Sequence, residues 1–129
     1  MRTTIFSTDG ERITYSTMEE PRWEPFEEYD GKPLSRVNLF EILEARHGEL
    51  QMVQIGAGGH FAMHTSPDLA FCQVVRGRGK LGLPDGTALE YEAPELYVFL
   101  PGSLHDWHDV EEDTLLSVCL IKQSTRPSG

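Results

Sequence analysis

The chain has 129 residues, of which 39% are aliphatic or aromatic and 25% charged, a composition that fits one globular domain and excludes a disordered segment. Its 21 acidic against 11 basic residues give a formal charge of -10, a mean field that repels nucleic acid and anionic membrane surfaces. The partner class left is a small-molecule substrate, neutral or polar unless basic side chains are focused inside a pocket.

The opening segment, MRTTIFSTDGERITYS, has no apolar run of signal-peptide length, and no stretch approaches the roughly 20 apolar residues of a membrane span. The expectation is therefore a cytoplasmic protein. Residues 1–35 include the proline- and acid-rich MEEPRWEPFEEYDGKP, which lacks a helical apolar period. This part reads as an arm, a lid or dimerisation strands. Trp23, Phe26 and Tyr29 are spaced as anchors that pack on a barrel or across a subunit boundary, which keeps a homodimer open.

From residue 36 to 125 the runs RVNLFEILEA, ELQMVQIGA, HFAMH, LAFCQVV, GKLGL, ALEYE, LYVFLP and LLSVCLIK are short and apolar or alternating. HGE, GAGG, PDG, EAPE and PGS supply turn residues between them. This rhythm predicts an all-β domain; LFEILEA has helical spacing but is too short to change the class. Closing such strands into a barrel or jelly roll removes exposed edges. Cys72 and Cys119 lie in apolar runs and are expected as buried free thiols, with no second cysteine at zinc-site spacing.

The segment GGHFAMHTSPDLAFCQVVRGRG (58–79) and the later PGSLHDWHD (101–109) carry the chemistry. Together they resemble the two motifs of the cupins, a family of small β-barrel proteins. The first cupin motif runs glycine, five residues, His-x-His, three or four residues, glutamate, six residues, glycine. Gly58, His64 and Gly77 keep that frame, while Ser66 and Ala70 stand where the second histidine and the glutamate would be. In the second motif Gly102 and His105 hold their places. Pro94, Leu100 and Asp109 replace the leading glycine, the proline and the trailing asparagine, and the proline has slipped to Pro101. The resemblance covers roughly the C-terminal two thirds of the chain. It implies a single-domain, cupin-type jelly-roll β-barrel with His64 and His105 in its cavity.

Residues at i and i+2 of a strand share a face about 6.6 Å apart, near enough to share an ion. Ser66 is a poor neutral ligand and Ala70 has no donor atom, so His64 and His105 supply two donors where three or four are wanted. His60 is expected on the face of His64 but ~13 Å away, too far to share an ion unless a bulge bends the strand. Tyr97 is the stronger substitute, because ectoine synthase, another cupin, is similar in placing a tyrosine there. Asp68, after Pro67, could swing in or bond its own backbone. No cofactor is favoured on this count; the alternative is a single Fe, Zn or Mn on His64 and His105 with Tyr97 or His60.

Without a metal, histidine is the natural residue for acid–base chemistry near neutral pH. GHF at residues 59–61 is similar to the GHF of the metal-independent cupin dehydratase of uridyl-peptide antibiotic biosynthesis, where that histidine acts as a base. VVRGRG (74–79) resembles its VVSGQG. The resemblance implies catalytic roles for His60, His64, Tyr97 and His105, with His60 or His64 removing a proton and His105 or Tyr97 donating one. Cys72 and Trp107, the latter on the face of His105, are candidate substrate-binding walls. His108 points away from His105 and His47 falls in a turn, so both read as bystanders. Met52, Met63, Phe71 and Phe99 read as packing, and residues 110–113 as a solvated turn. The expected function is elimination, isomerisation or cyclisation of a polar metabolite such as a sugar, a nucleoside or a biosynthetic intermediate, in the manner of a dehydratase or isomerase. The alternatives are a metal-dependent lyase or dioxygenase and a non-catalytic, ligand-binding cupin.

Overall fold

Turn residues cut the chain into thirteen strands in the computed structural model, which describes residues 1–123; the expected barrel end at residue 125 lies outside the described residues. The first five strands are β1 (Thr3–Asp9), β2 (Arg12–Met18), β3 (Glu24–Pro25), β4 (Glu28–Tyr29) and β5 (Lys32–Pro33). Then come β6 (Ser35–Glu44), β7 (Gly48–His64), β8 (Leu69–Arg76) and β9 (Arg78–Gly82). The last are β10 (Ala88–Glu92), β11 (Glu95–Phe99), β12 (His105–His108) and β13 (Thr114–Ile121). Among the described residues there is no helix. LFEILEA belongs to β6, whose backbone pairs with β7 on one edge and β3 on the other, and that ladder overrides its helical spacing.

One sheet runs β3-β6-β7-β13-β8-β11 and the other β10-β9-β12-β7, with antiparallel neighbours throughout. β7 belongs to both: residues 48–55 pair with β13, whereas Phe61 and His64 pair with β12. GAGG at 56–59, expected as a turn, is instead the bend of this one long strand. Gly58 takes φ +79° there, a left-handed conformation that a side chain would penalise. The result is a nearly closed, antiparallel jelly-roll barrel.

Inward-facing residues of both sheets, including Val37, Ile55, Phe61, Cys72, Val74, Leu81, Tyr91, Trp107 and Leu116, form the main core. Val110, expected in a solvated turn, is buried in that core as well. The buried Tyr91 hydroxyl is satisfied by Thr114 Oγ1 at 2.7 Å. A smaller cluster of Phe40, Met52 and Leu115 packs under Met18, Trp23 and Ile42. Trp23 thus meets Phe40 edge-on at 6.2 Å, whereas Phe26 and Tyr29 pack on the main core. Cys72 is buried and Cys119 only partly so; both are free thiols.

The first 35 residues make two hairpins of different character. β1 and β2 pair with each other and leave Phe6, Ile13 and Tyr15 exposed. β4 and β5 are joined by Asp30-Gly31, with φ of 52° and 76°, the two left-handed residues of a tight hairpin turn. Lys32 on this second hairpin donates to Met63 O at 2.6 Å, which ties it to the end of β7. No helix among the described residues is long and apolar enough to cross a membrane.

Candidate active site

A register shift between β7 and β12 decides which side chains enter the barrel. His105 pairs with His64 and Trp107 with Phe61, so two steps along β12 span three along β7. The extra residue, opposite Asp106, is a β-bulge, and it reverses the alternation of β7 at that point. Phe61 and His64 consequently share the inner face, which regular pleating would forbid for residues three apart.

These side chains line a cavity of about 120 Å³ at one end of the barrel. The rings of His64 and His105 are 4.4 Å apart, centroid to centroid. Each is pinned the same way: His64 Nδ1 lies 2.7 Å from Ala62 O and His105 Nδ1 lies 3.0 Å from Ser103 O. A carbonyl only accepts, so both Nδ1 atoms carry the proton and both Nε2 atoms keep a free lone pair. Burial lowers both pKa values. His105 falls to about 4 because desolvation is reinforced by the neighbouring His64. His64 is lowered by burial and by the Lys32 charge, partly offset by its bond to Ala62 and by Asp106. Both rings are therefore neutral near pH 7, and protonating one disfavours protonating the other.

Aromatic neighbours fix the pair. Phe99, read from sequence as packing, stacks on His105 with centroids 3.7 Å apart and planes 6° from parallel. Phe61 lies 4.2 Å from His64, and Tyr29 meets His64 edge-on at 5.4 Å. Tyr29 thus brings the β4–β5 hairpin over the histidines; the sequence reading left arm, lid and dimerisation strands open for residues 1–35 and gave Tyr29 no place beside His64. Its hydroxyl stays protonated because burial, and then the charges of Asp30, Asp68 and Glu49, raise its pKa. Trp107 and Cys72, expected as walls, both line the cavity. The Cys72 thiol is pushed up to about 12 by burial, which leaves it without nucleophilic character. Thr65, next to His64, also contributes to the wall, and its Oγ1 is buried without a hydrogen-bond partner among the described residues.

Two of the four expected catalytic residues lie elsewhere. The bulge turns His60 to the outer face, where its Nε2 is 4.0 Å from Asp106 Oδ2. His108 joins them with Nδ1 2.8 Å from Asp106 Oδ1, and a Cβ on Gly82 would collide with that carboxylate. Tyr97 points inward but does not line the cavity: its ring packs 6.2 Å from Trp107 and its hydroxyl donates to Glu95 Oε2 at 3.0 Å. Burial, and then that contact, push its pKa up to about 12. His47 is exposed in the β6–β7 turn, as expected.

The donor set does not fit a tightly held transition metal. Among the described residues no group of three His, Cys, Asp or Glu side chains is placed to share an ion. Ser66, where the motif would have a histidine, accepts the Asp68 backbone N–H at 3.0 Å, and Ala70 offers nothing. Two imidazoles fall short of the three or four ligands such an ion takes.

No family profile matches this sequence, and no curated protein matches it. Solved structures do match. A cupin 2 conserved barrel domain protein from Rhodopseudomonas palustris superposes with a TM-score of 0.69 at 13% identity, over 96% of this chain and 84% of that one. The polyketide cyclase RemF from Streptomyces resistomycificus gives 0.67 at 18% identity, over 82% and 78%. A predicted oxalate decarboxylase from Thermotoga maritima gives 0.60 at 13% identity, over 67% and 81%. The chain has the cupin fold that its two motifs implied.

Proposed function

We infer that the barrel is an acid–base enzyme that isomerises, cyclises or dehydrates a small metabolite, with His64 and His105 as the proton-handling pair. One observation carries this reading: two neutral imidazoles lie 4.4 Å apart in an apolar cavity, each with Nδ1–H tied to a backbone carbonyl and Nε2 free. A base in this setting is unprotonated at neutral pH and needs no loss of solvation to react. His64, the less depressed of the two, takes a proton from a carbon or hydroxyl of the substrate. The imidazolium that results is a strong acid in this poorly solvated site. It returns the proton at a second atom of the substrate, to complete an isomerisation or cyclisation, or to a departing hydroxide, to complete a dehydration. Neutral His105 accepts a hydrogen bond from a substrate hydroxyl, and its stack on Phe99 holds that geometry. A cyclase with the same fold agrees with this class of chemistry.

The test is exchange of solvent deuterium into the α-carbon of cyclohexanone, a small enolisable ketone, followed by NMR at pH 7. Wild-type protein is expected to accelerate exchange, His64→Ala and His105→Ala to lower the rate on the order of 100-fold, and exhaustive chelation to leave it unchanged. Equal exchange in wild type and both variants removes the acid–base reading. Loss of the rate on chelation, with recovery on adding Fe, Zn or Mn, replaces it with metal-assisted chemistry.

A further inference from the structure

We propose that the cavity takes a flat, uncharged aromatic or conjugated molecule bearing a hydroxyl, and that His105 Nε2 accepts a hydrogen bond from this hydroxyl beside His64. The inference rests on reading the cavity as a small-molecule site and narrows what enters it. Phe26, Tyr29, Phe61, Phe99 and Trp107 all contribute to the wall. Their contacts, such as Phe26–Phe61 at 6.1 Å and Tyr29–Phe61 at 5.8 Å, are offset or tilted, the arrangement in which a further planar ring finds faces and edges to pack on.

Charge selects in the same direction. Among the described residues no lysine or arginine lines the cavity, and Asp68 is the one formally charged residue in its wall. Lys32, on the covering hairpin, commits its ammonium to Met63 O. A phosphate or carboxylate would lose its water, gain no cationic partner in the described wall and face Asp68. A sugar would bury several hydroxyls against rings and leave most of them unpaired. A single hydroxyl is a different case. His105 Nε2 keeps a free lone pair in the cavity and accepts its hydrogen bond. The His64 ring lies 4.4 Å from that of His105, so a molecule held there presents the carbon or hydroxyl next to its oxygen to His64.

Equilibrium binding to the full chain at pH 7 tests this with 2-naphthol, naphthalene, 2-naphthoate and glucose as probes. 2-Naphthol is expected to bind at least about tenfold tighter than 2-naphthoate or glucose. His105→Phe should weaken 2-naphthol about tenfold, the value of one buried hydrogen bond, and leave naphthalene unchanged. Failure of 2-naphthol to bind, or 2-naphthoate binding as tightly, overturns the substrate class. Equal weakening of 2-naphthol and naphthalene in His105→Phe overturns the role of the imidazole acceptor. The wild-type comparison of probes needs no variant to fold. Binding is read without turnover, so tight 2-naphthol binding with no cyclohexanone exchange would leave this inference standing and remove the acid–base one. Exchange without 2-naphthol binding would do the reverse.

Discussion

Strands β7 and β12 each carry one histidine to the inside of the barrel and one to the outside. The inner pair, His64 and His105, is desolvated, ringed by Phe61, Tyr29 and Phe99, and anchored to backbone carbonyls. The outer pair, His60 and His108, flanks the Asp106 carboxylate in contact with water, with 45% and 32% of their side chains exposed. The residue types and the strands are the same, yet the environments differ. Inside, burial penalises the charged form of the ring; outside, the rings lie against a carboxylate and solvent. The bulge opposite Asp106 separates His60 from His64 by resetting the phase of β7, whereas ordinary alternation already separates His105 from His108.

Removing one ring at a time is the strongest way to break this comparison. His64→Ala and His105→Ala should each lower proton-exchange turnover on the order of 100-fold or more, whereas His60→Ala and His108→Ala should stay within about threefold, since substitutions at exposed sites seldom reach the core. Comparable losses from the outer pair would mean that the bulge is misplaced in phase.

Acid stability sharpens the same contrast. Above the ordinary histidine value of 6.5, His105 is neutral both folded and unfolded. As pH falls the unfolded chain takes up the proton first, and the folded chain resists until about 4, so stability declines across that window and levels off below it. The decline attributable to His105 is about 3 kcal/mol. His105→Phe, which preserves the stack on Phe99, should remove that component in urea melts between pH 7 and 4, whereas His108→Phe should retain it. Identical pH slopes for wild type and His105→Phe would contradict the buried, neutral state.

The outer cluster has its own point of failure at Gly82, where a Cβ would strike Asp106 and the His108 ring. Gly82→Ala should cost about 1–3 kcal/mol by overpacking while changing exchange turnover little; a large rate loss at unchanged stability would tie the outer carboxylate to the chemistry. The smallest effect is expected at Tyr97, whose hydroxyl donates to Glu95 away from the cavity. Tyr97→Phe should cost about 1 kcal/mol or less in thermal melts and leave turnover intact, an outcome that separates it from the cavity pair.

Much of the fold was legible in the chain itself. Alternating runs and glycine–proline punctuation announced strands, and the frame from Gly58 through His64 and Gly77 to Gly102 and His105 announced the barrel and its two inner imidazoles. Ser66 and Ala70, at positions where the motif has a histidine and a glutamate, were equally plain in the sequence. His60 and Tyr97 were not legible as outsiders. Period-two reasoning placed His60 with His64, and nothing local marks the bulge, since Ala62 and Met63 are ordinary strand residues. Tyr97 does point inward as alternation requires, but its distance from the histidines and its bond to Glu95 depend on how deep β11 lies in the wall. Phe99 and Tyr29 were read as packing because an aromatic residue looks the same in sequence whether it fills a core or clamps a catalytic ring.

Sequence by itself determined the strand rhythm, the barrel class and the identity of the surviving histidines, because alternation and turn chemistry are local properties written every few residues. Tertiary structure alone decided which histidines face each other, which tyrosine covers them and which hydroxyl is left without a partner. Those outcomes hang on inter-strand register, and a single added residue in one strand inverts every side chain beyond it.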